Sequence, residues 1–239
     1  MKACHDEKSD ESPSYSGVIT DQFHMQFYRG IDWRKDLKYC GVPILKNPLD
    51  LFSISELLWE IKPELVIETG TAYGGSALYM AHIMDHIGRG SIITIDTREA
   101  KWMPTAYEYP THERVKYLIG SSLDPSVRSL VASAARASRK SGNVIVILDS
   151  CHKMEHVMGE IEAYAPFVTP SSYLIIEDTN TGLVLSQEQL NEHGPGPAEA
   201  IRVVQNDLRG ALSDFADDVS LRNRFGFSFN TWMRRKIDE

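Results

Sequence analysis

The sequence of 239 residues is poor in cysteine and contains no long apolar run. Its three cysteines, Cys4, Cys40 and Cys151, form no CxxC pair, which argues against a zinc ribbon or a disulfide framework and favours a reducing compartment. No segment reaches the ~18 consecutive apolar residues of a membrane-spanning helix. The first residues also lack the apolar centre of a signal peptide. These absences predict a cytoplasmic protein with no membrane partner.

Basic residues are not in excess, which argues against a general nucleic-acid binder. The chain has 25 Lys and Arg residues against 33 Asp and Glu residues, a formal net charge of −8. Such a chain lacks the basic surface that contacts phosphates. With 42% hydrophobic and 24% charged residues, it has the composition of an ordinary globular domain rather than a disordered chain.

Short apolar runs alternate with segments of helical periodicity through the middle of the chain. We predict helices between strands at residues 65–67, 92–95, 115–119, 144–148 and 173–176. This order is typical of βαβ units. Because the strands are apolar throughout, both faces of the sheet are expected to be covered by helices. The fold class is therefore predicted as α/β with a mostly parallel sheet.

The remaining segments have weaker patterns. Residues 1–40 are predicted to be an N-terminal extension, partly flexible, that contributes to an oligomer or to a substrate pocket, before a catalytic domain over 41–239. Residues 179–197 lack periodicity and predict a long loop that could act as a lid. Alternating apolar residues at 219–221 and 225–232 predict two strands that close the sheet.

Polar residues follow the predicted strands at the points where they end. Glu68, Asp96 and Asp149 each end a strand, and Glu177 and Asp178 follow the last of the five. Carboxyl ends of parallel strands share one edge of the sheet, and ligands of open α/β sheets bind there. We therefore expect these carboxylates to cluster in a site.

The turn after the first of these strands suits a polar ligand. Gly70 and Gly74 permit a sharp turn, and the helix that opens at Ser76 presents a positive dipole end. The spacing differs from GxGxxG, so a dinucleotide is not indicated. Asp96 lies 26 residues beyond Gly70 and could accept hydrogen bonds from the two hydroxyls of a ribose. The alternative is that Asp96 caps the segment that follows it.

Asp149, Glu177 and Asp178 suggest a metal site. Three converging carboxylates without basic neighbours would raise one another's pKa values, and Mg²⁺, which prefers oxygen ligands, would relieve this repulsion. The alternative is helix capping or ion pairing, with Arg98 or Lys153 as partner. The absence of a thiol partner and of a close second histidine makes zinc a weaker prediction.

His152 is the candidate general base. It follows Asp149 by three residues and is the side chain type best suited to exchange a proton near neutral pH. A surface histidine at a helix start is the alternative. A nucleophilic pair of Cys151 and His152 is less favoured because adjacent side chains usually point apart. His156 is predicted to be an ordinary helix residue.

The combination of motifs resembles a known family. Residues 67–70 (IETG) and 73–76 (YGGS) are similar to the first motif of S-adenosylmethionine-dependent methyltransferases of the Rossmann-like class I fold, with its seven-stranded sheet. The later site residues narrow the resemblance to metal-dependent O-methyltransferases: Asp149, His152, Glu177 and Asp178. Across residues 45–235 the chain most resembles the cephalosporin hydroxylase and rhamnosyl O-methyltransferase family, including the GPGP sequence at 194–197.

This resemblance implies S-adenosylmethionine as the cofactor. Glu68 and Gly70 would border its methionine part, Ser76 would hold the carboxylate, and Thr71 is implied as a further cofactor-binding residue. Asp96 would bind the ribose hydroxyls. Further residues implied at the cofactor are Ser122, beside the adenine, and Asp149.

The resemblance also implies the reaction. Asp149, Glu177 and Asp178 would bind Mg²⁺, and His152 would remove a proton from a hydroxyl of a small natural product, such as a sugar. The pair Glu177-Asp178 resembles the macrolide sugar enzymes rather than the catechol type, which has Asp-Asn. A homo-oligomer is implied as well. Two alternatives stay open: a hydroxylase-like role in oxidation with a partner protein, and a non-catalytic subunit that binds the cofactor.

Overall fold

A computed structural model describes residues 15–32, 35–98, 104, 107–207, 209–223 and 230–237. The strands are β1 (Lys38–Tyr39), β2 (Val42–Pro43), β3 (Leu65–Thr69), β4 (Ser91–Asp96), β5 (Val115–Ile119), β6 (Val144–Leu148), β7 (Tyr173–Ile176), β8 (Phe215–Asp217) and β9 (Thr231–Arg235). The helices are α1 (Tyr15–Gly30), α2 (Pro48–Ile61), α3 (Gly75–Ile87), α4 (Pro125–Ser138), α5 (Met154–Tyr164), α6 (Thr181–Val184), α7 (Gln187–His193), α8 (Pro197–Gln205) and α9 (Val219–Asn223), with a 3₁₀ turn over Ala165–Phe167.

Seven strands form one sheet in the order β5-β4-β3-β6-β7-β9-β8. The first five in this order run parallel, whereas β9 runs antiparallel to both β7 and β8. The predicted α/β fold with a mostly parallel seven-stranded sheet is therefore confirmed. In the register, Thr69 lies opposite Ile95 and Leu148, so Asp96 and Asp149 leave the sheet at the same edge.

Helices cover both faces of the sheet, as predicted. One face packs against α4, α5 and α8 through buried residues such as Val131, Ile161 and Ile201. The other packs against α2 and α3 through Leu58 and Met80, which share a core cluster with other side chains, Trp232 among them. Strands β3 and β6 are buried at every position, which explains the unbroken apolar sequence of β6 and of the first three residues of β3.

Two short elements position the start of the domain. The hairpin of β1 and β2 spans the expected boundary between residues 40 and 41. Helix α2 then begins at Pro48, where the Asn47 side chain accepts a hydrogen bond from the Leu49 amide at 3.0 Å. Lys46 therefore lies immediately before a fixed helix start, and its neighbour Ile44 is buried in the core.

Two sequence predictions require correction. The proposed loop over 179–197 contains helices α6 and α7, because Ser186 and Gln189 form a capping box that starts α7. The predicted strand over 219–221 is part of helix α9, since Asp218 accepts hydrogen bonds from the Ser220 and Leu221 amides. The closing strands are instead β8 and β9; most of the predicted strand over 225–232 lies outside the described residues.

The N-terminal extension contains a long helix. Helix α1 covers 16 residues, and residues 1–14 lie outside the described part of the chain. Arg29 near its end donates from Nε to the carbonyl oxygen of Val184 in α6 at 3.1 Å. Helix α1 is thereby joined to the segment that follows β7. Within the described ranges, no helix combines the length and apolar character needed to span a membrane.

We expect Gly70→Ala to destabilise the protein. Gly70 has a φ of +88°, and an added Cβ would lie 1.8 Å from the carbonyl oxygen of Asp149. The left-handed backbone and this clash together should lower the free energy of unfolding by at least about 2 kcal/mol, measured by chemical denaturation. Gly182→Ala is the matched control, because its Cβ would meet nothing within 4 Å. Equal stabilities of the two variants would contradict the described turn.

Candidate active site

One cavity of about 420 Å³ opens at the carboxyl ends of the parallel strands. Its volume lies within the usual range for small-molecule sites. The sequence-predicted residues that line it are Gly70, Asp96, Ser122, Asp149, His152 and Asp178. Thr71 and Ser76 line a small adjoining cavity together with Lys46. The turn after β3 and the acidic residues after β6 and β7 therefore border one continuous region.

Asp149, His152 and Asp178 form the most compact polar group of this cavity. One potential ligand atom from each lies within 4.8 Å of the others. His152 Nε2 is 3.1 Å from Asp178 Oδ2 and 3.5 Å from Asp149 Oδ1. Asp178 has a left-handed backbone (φ 54°), a conformation that costs energy in a non-glycine residue and often marks a functional site.

The charges around His152 favour its protonated form. Burial lowers the pKa of the imidazole, but the carboxylates of Asp178 and Asp149 outweigh burial and raise the pKa to about 9. Burial also raises the pKa of Asp178, against the effect of His152. The protonated imidazole thus pairs with both carboxylates.

Lys46 is the important residue that sequence reasoning missed. Its Nζ donates to Asp149 Oδ2 and to Glu177 Oε1, both at 2.7 Å, and lies 4.0 Å from Glu68 Oε1. Burial lowers the pKa of Lys46, but the surrounding carboxylates outweigh it and keep the ammonium charged. The expectation of three acids without basic neighbours is therefore wrong. Lys46, rather than Arg98 or Lys153, is the partner of Asp149 and Glu177.

Glu177 and Glu68 lie deeper than the other acids. Glu177 is 6% exposed and gives Oε1 to Lys46, so it stands beside the compact group and not within it. Glu68 is fully buried, and its Oε2 accepts a hydrogen bond from Thr94 Oγ1 at 2.7 Å. Thr94 Oγ1 also pairs with Thr71 Oγ1 at 2.8 Å. Glu68 therefore stabilises the turn after β3 through Thr94 and Thr71.

Asp96 fixes the same turn from the side. Its Oδ2 accepts hydrogen bonds from the Thr71 and Ala72 amides at 3.0 and 2.9 Å. Its Oδ1 accepts from the Arg98 amide at 3.0 Å, so Asp96 does cap the segment that follows it. It nevertheless lines the cavity beside Gly70 and Thr97. Both alternatives considered for Asp96 are thus compatible with its position.

His156 lies in helix α5, as predicted, and it is also part of the cavity wall. Its Nε2 is 3.2 Å from Ser122 Oγ and 3.1 Å from Ser150 Oγ. The same nitrogen is 3.4 Å from Oε1 of the buried Glu160, one helical turn later. The spacing of His156 and Glu160, just after the strand end at Asp149, is the sequence signal that could have found this pair.

Tyr28 in helix α1 lies close enough to the acidic residues of the site to interact with them electrostatically. Burial raises the pKa of its phenol well above the usual value, and Asp178, Asp50 and Glu177 raise it further. The contact between α1 and α6 explains how a residue so early in the chain comes near the site. Part of the N-terminal extension thus adjoins the acidic end of the cavity.

A sequence model described as rhamnosyl O-methyltransferase/CmcI matches residues 31–236. The chain belongs to this family. Relatives named rhamnosyl O-methyltransferase include one from Mycobacterium tuberculosis H37Rv, 32% identical over 214 residues that cover 89% of this chain and 82% of the relative. A protein of the same name from Mycobacterium leprae is 30% identical over 89% of this chain and 88% of its own length. The predicted family and the prediction of a methyltransferase enzyme are thereby confirmed.

Solved structures of this family share the fold. An apo-structure of CmcI aligns with 99% of this chain and 89% of its own, with a TM-score of 0.59 and 18% identity. A CmcI structure described as Mg-SAM aligns over the same fractions with a TM-score of 0.54 and 16% identity. At these identities the likeness concerns the fold, and it confirms the Rossmann-like class.

We expect Lys46→Met to lower stability strongly. The substitution leaves Asp149 and Glu177 buried without their shared cation, which should cost about 3–5 kcal/mol in chemical denaturation. Lys35→Met is the matched control: the Lys35 side chain is 80% exposed in its pair with Asp32, so its loss should cost less than about 1 kcal/mol. Similar losses in the two variants would show that Lys46 does not make the buried pair.

In the presence of EDTA, His152 should titrate with a midpoint near pH 9. Because this pKa lies above the value of about 6.5 in an unfolded chain, its stabilising contribution is complete below pH 6.5 and is lost as pH rises through about 9. NMR of the imidazole can follow the titration. Asp178→Asn should lower the midpoint, because Asp178 is the leading cause of the increase. A midpoint near 6.5 in the unmodified protein would contradict the described contacts.

Proposed function

We propose that the protein is an S-adenosylmethionine- and Mg²⁺-dependent O-methyltransferase that acts on a hydroxyl of a small natural product, in particular a sugar hydroxyl. The observation that carries the proposal is the single cavity that joins the turn after β3 and Asp96 to Asp149, His152 and Asp178. The names of the relatives with 30–32% identity support the sugar hydroxyl as acceptor.

The turn after β3 is assigned to the cofactor. The amino end of helix α3 attracts the cofactor carboxylate, and Ser76, Gly70 and Thr71 lie around this end. Glu68 positions the turn through its hydrogen bond with Thr94. The ribose is assigned to Asp96, which lines the cavity. Asp149 borders both the cofactor and metal parts, because it lines both cavities. Ser122 is assigned to the adenine, on the other side of the cavity from Asp178.

The acidic residues fit a hard divalent cation. Carboxylate oxygens are the ligands that Mg²⁺ prefers, and Asp149 and Asp178 already lie together. Glu177, which stands beside this group and is bonded to Lys46, is assigned as the third residue that would hold the cation. When bound, Mg²⁺ supplies Lewis-acid chemistry that lowers the pKa of an acceptor hydroxyl.

His152 is assigned as the general base, because Mg²⁺ bound to Asp149 and Asp178 would neutralise the two carboxylates that otherwise raise its pKa. Its Nε2 lies at the acidic end of the cavity, where an acceptor hydroxyl would be placed against Asp178. The other residues contribute chiefly by alignment, because methyl transfer needs the acceptor oxygen, methyl carbon and sulfur in line. Helix α1, with Tyr28 near the acids, is assigned to the acceptor side of the cavity. A cytoplasmic homo-oligomer completes the proposal, supported by the exposed apolar residues Val18 and Ile19 on α1.

His152→Ala should lower turnover about 10²–10⁴-fold, the usual contribution of a general base. Binding of S-adenosylhomocysteine, measured by calorimetry, should change less than about threefold, because the base does not hold the cofactor in this assignment. The matched control is His86→Ala, an exposed histidine near the end of α3. Turnover equal to that of the control variant would remove the assignment.

Product mass separates this proposal from its alternatives. Methyl transfer adds a CH₂ unit to the hydroxylated acceptor, whereas hydroxylation adds an oxygen atom. In the methyltransferase, EDTA should abolish the gain of CH₂ and added Mg²⁺ should restore it. Cofactor binding without any product would indicate the non-catalytic subunit instead, and gain of oxygen would indicate the hydroxylase-like role.

A further inference from the structure

A buried glutamate stands behind the cavity wall and has no place in the assignments above. Glu160 in helix α5 is 1% exposed, and its Oε1 accepts a hydrogen bond from Ser150 Oγ at 2.7 Å. Among the described residues, Oε2 of Glu160 has no hydrogen-bond partner although it is buried. A buried carboxylate with so few donors is costly. Such a cost suggests that the side chain orients groups at the cavity.

The contacts of Glu160 determine where the hydrogens lie in this network. The Ser150 hydroxyl donates to Glu160 Oε1, so its hydrogen points to Glu160. Ser150 Oγ is then left as an acceptor for His156 Nε2 at 3.1 Å, which must carry the hydrogen of that bond. In a neutral imidazole protonated at Nε2, the remaining nitrogen, Nδ1, is an acceptor. Glu160 thus orients the Nε2 hydrogen of His156 through Ser150.

His156 lies in the cavity wall between the residues that follow β5 and those that follow β6. It contacts Ser122, which follows β5 at one edge of the sheet, whereas Asp178 follows β7. Because the ribose is assigned to Asp96 at the end of β4, which pairs with β5, the base of the cofactor falls near Ser122 and His156. His156 also lines this cavity, with 24% of its side chain exposed.

We propose that His156 recognises the 6-amino group of the cofactor's adenine through an unprotonated Nδ1, and that Glu160 and Ser150 are positioning residues that hold it in this state. The inference rests on the proposed use of S-adenosylmethionine. An acceptor at this place favours adenine, whose 6-amino group donates. It disfavours a base with a 6-oxo group, because two acceptors would then face each other.

The test compares S-adenosylhomocysteine with S-inosylhomocysteine, which carries a 6-oxo group in place of the amino group. Calorimetry should show that the unmodified protein binds the adenine compound at least about tenfold more tightly. His156→Gln keeps a donor where Nε2 stands and removes the Nδ1 acceptor. This variant should bind the two compounds within about threefold of each other. Glu160→Gln should also reduce the ratio, because its amide can donate and need no longer accept from Ser150. The control, His86→Gln, should retain the full ratio.

A second measurement needs no variant and so does not depend on variant folding. In protein labelled with ¹⁵N-histidine, NMR should find His156 protonated at Nε2 and not at Nδ1. The Nδ1 resonance should move on addition of S-adenosylhomocysteine and not on addition of the inosine compound.

The outcomes distinguish failure of the proposed function from failure of the role of His156 alone. Failure of the unmodified protein to bind S-adenosylhomocysteine would overturn the proposed function. Binding of both compounds with equal affinity would overturn the role of His156 and leave the proposed function standing. A hydrogen on Nδ1 would also overturn the role of His156. A His156→Gln variant that still prefers the adenine compound would do the same.

Discussion

The ammonium group of Lys46 is the contact on which the acidic site depends. It lies 2.7 Å from both Asp149 and Glu177, and the side chain is almost completely buried. Carboxylates brought together at the carboxyl edge of a parallel sheet repel one another, and burial increases the cost. A single buried cation offsets this repulsion while Asp178 and His152 remain at the cavity. The fixed start of helix α2 at Asn47 and Pro48 explains why Lys46 reaches this place.

The fold was largely predictable because its signals are local. Continuous apolar runs identified the five parallel strands, and the polar residues at their ends correctly located Asp149, His152 and Asp178 at one cavity. Parallel topology makes this inference robust, since all strand ends share an edge. Helix α7 was missed although Ser186 and Gln189 carry a capping signal, because the helix is only seven residues long. Such short helices leave little hydrophobic periodicity to read.

The electrostatic partners could not be predicted in the same way. Lys46 is separated from Asp149 by 103 residues and from Glu177 by 131, and no spacing rule links them. Tyr28 likewise approaches the acids only through the packing of α1. His156 and Glu160 were within reach of sequence reasoning, since they are one helical turn apart near a strand end. The direction of their hydrogen bonds follows only from the position of Ser150.

The most direct test of the central claim is a crystal structure obtained with S-adenosylhomocysteine and Mn²⁺, in which anomalous scattering locates the metal. We expect a metal peak bound by Asp149, Glu177 and Asp178. We also expect the cofactor in the same cavity, with its ribose at Asp96 and its sulfur toward the metal. A metal peak elsewhere, or a cofactor bound outside this cavity, would contradict the proposed methyltransferase site.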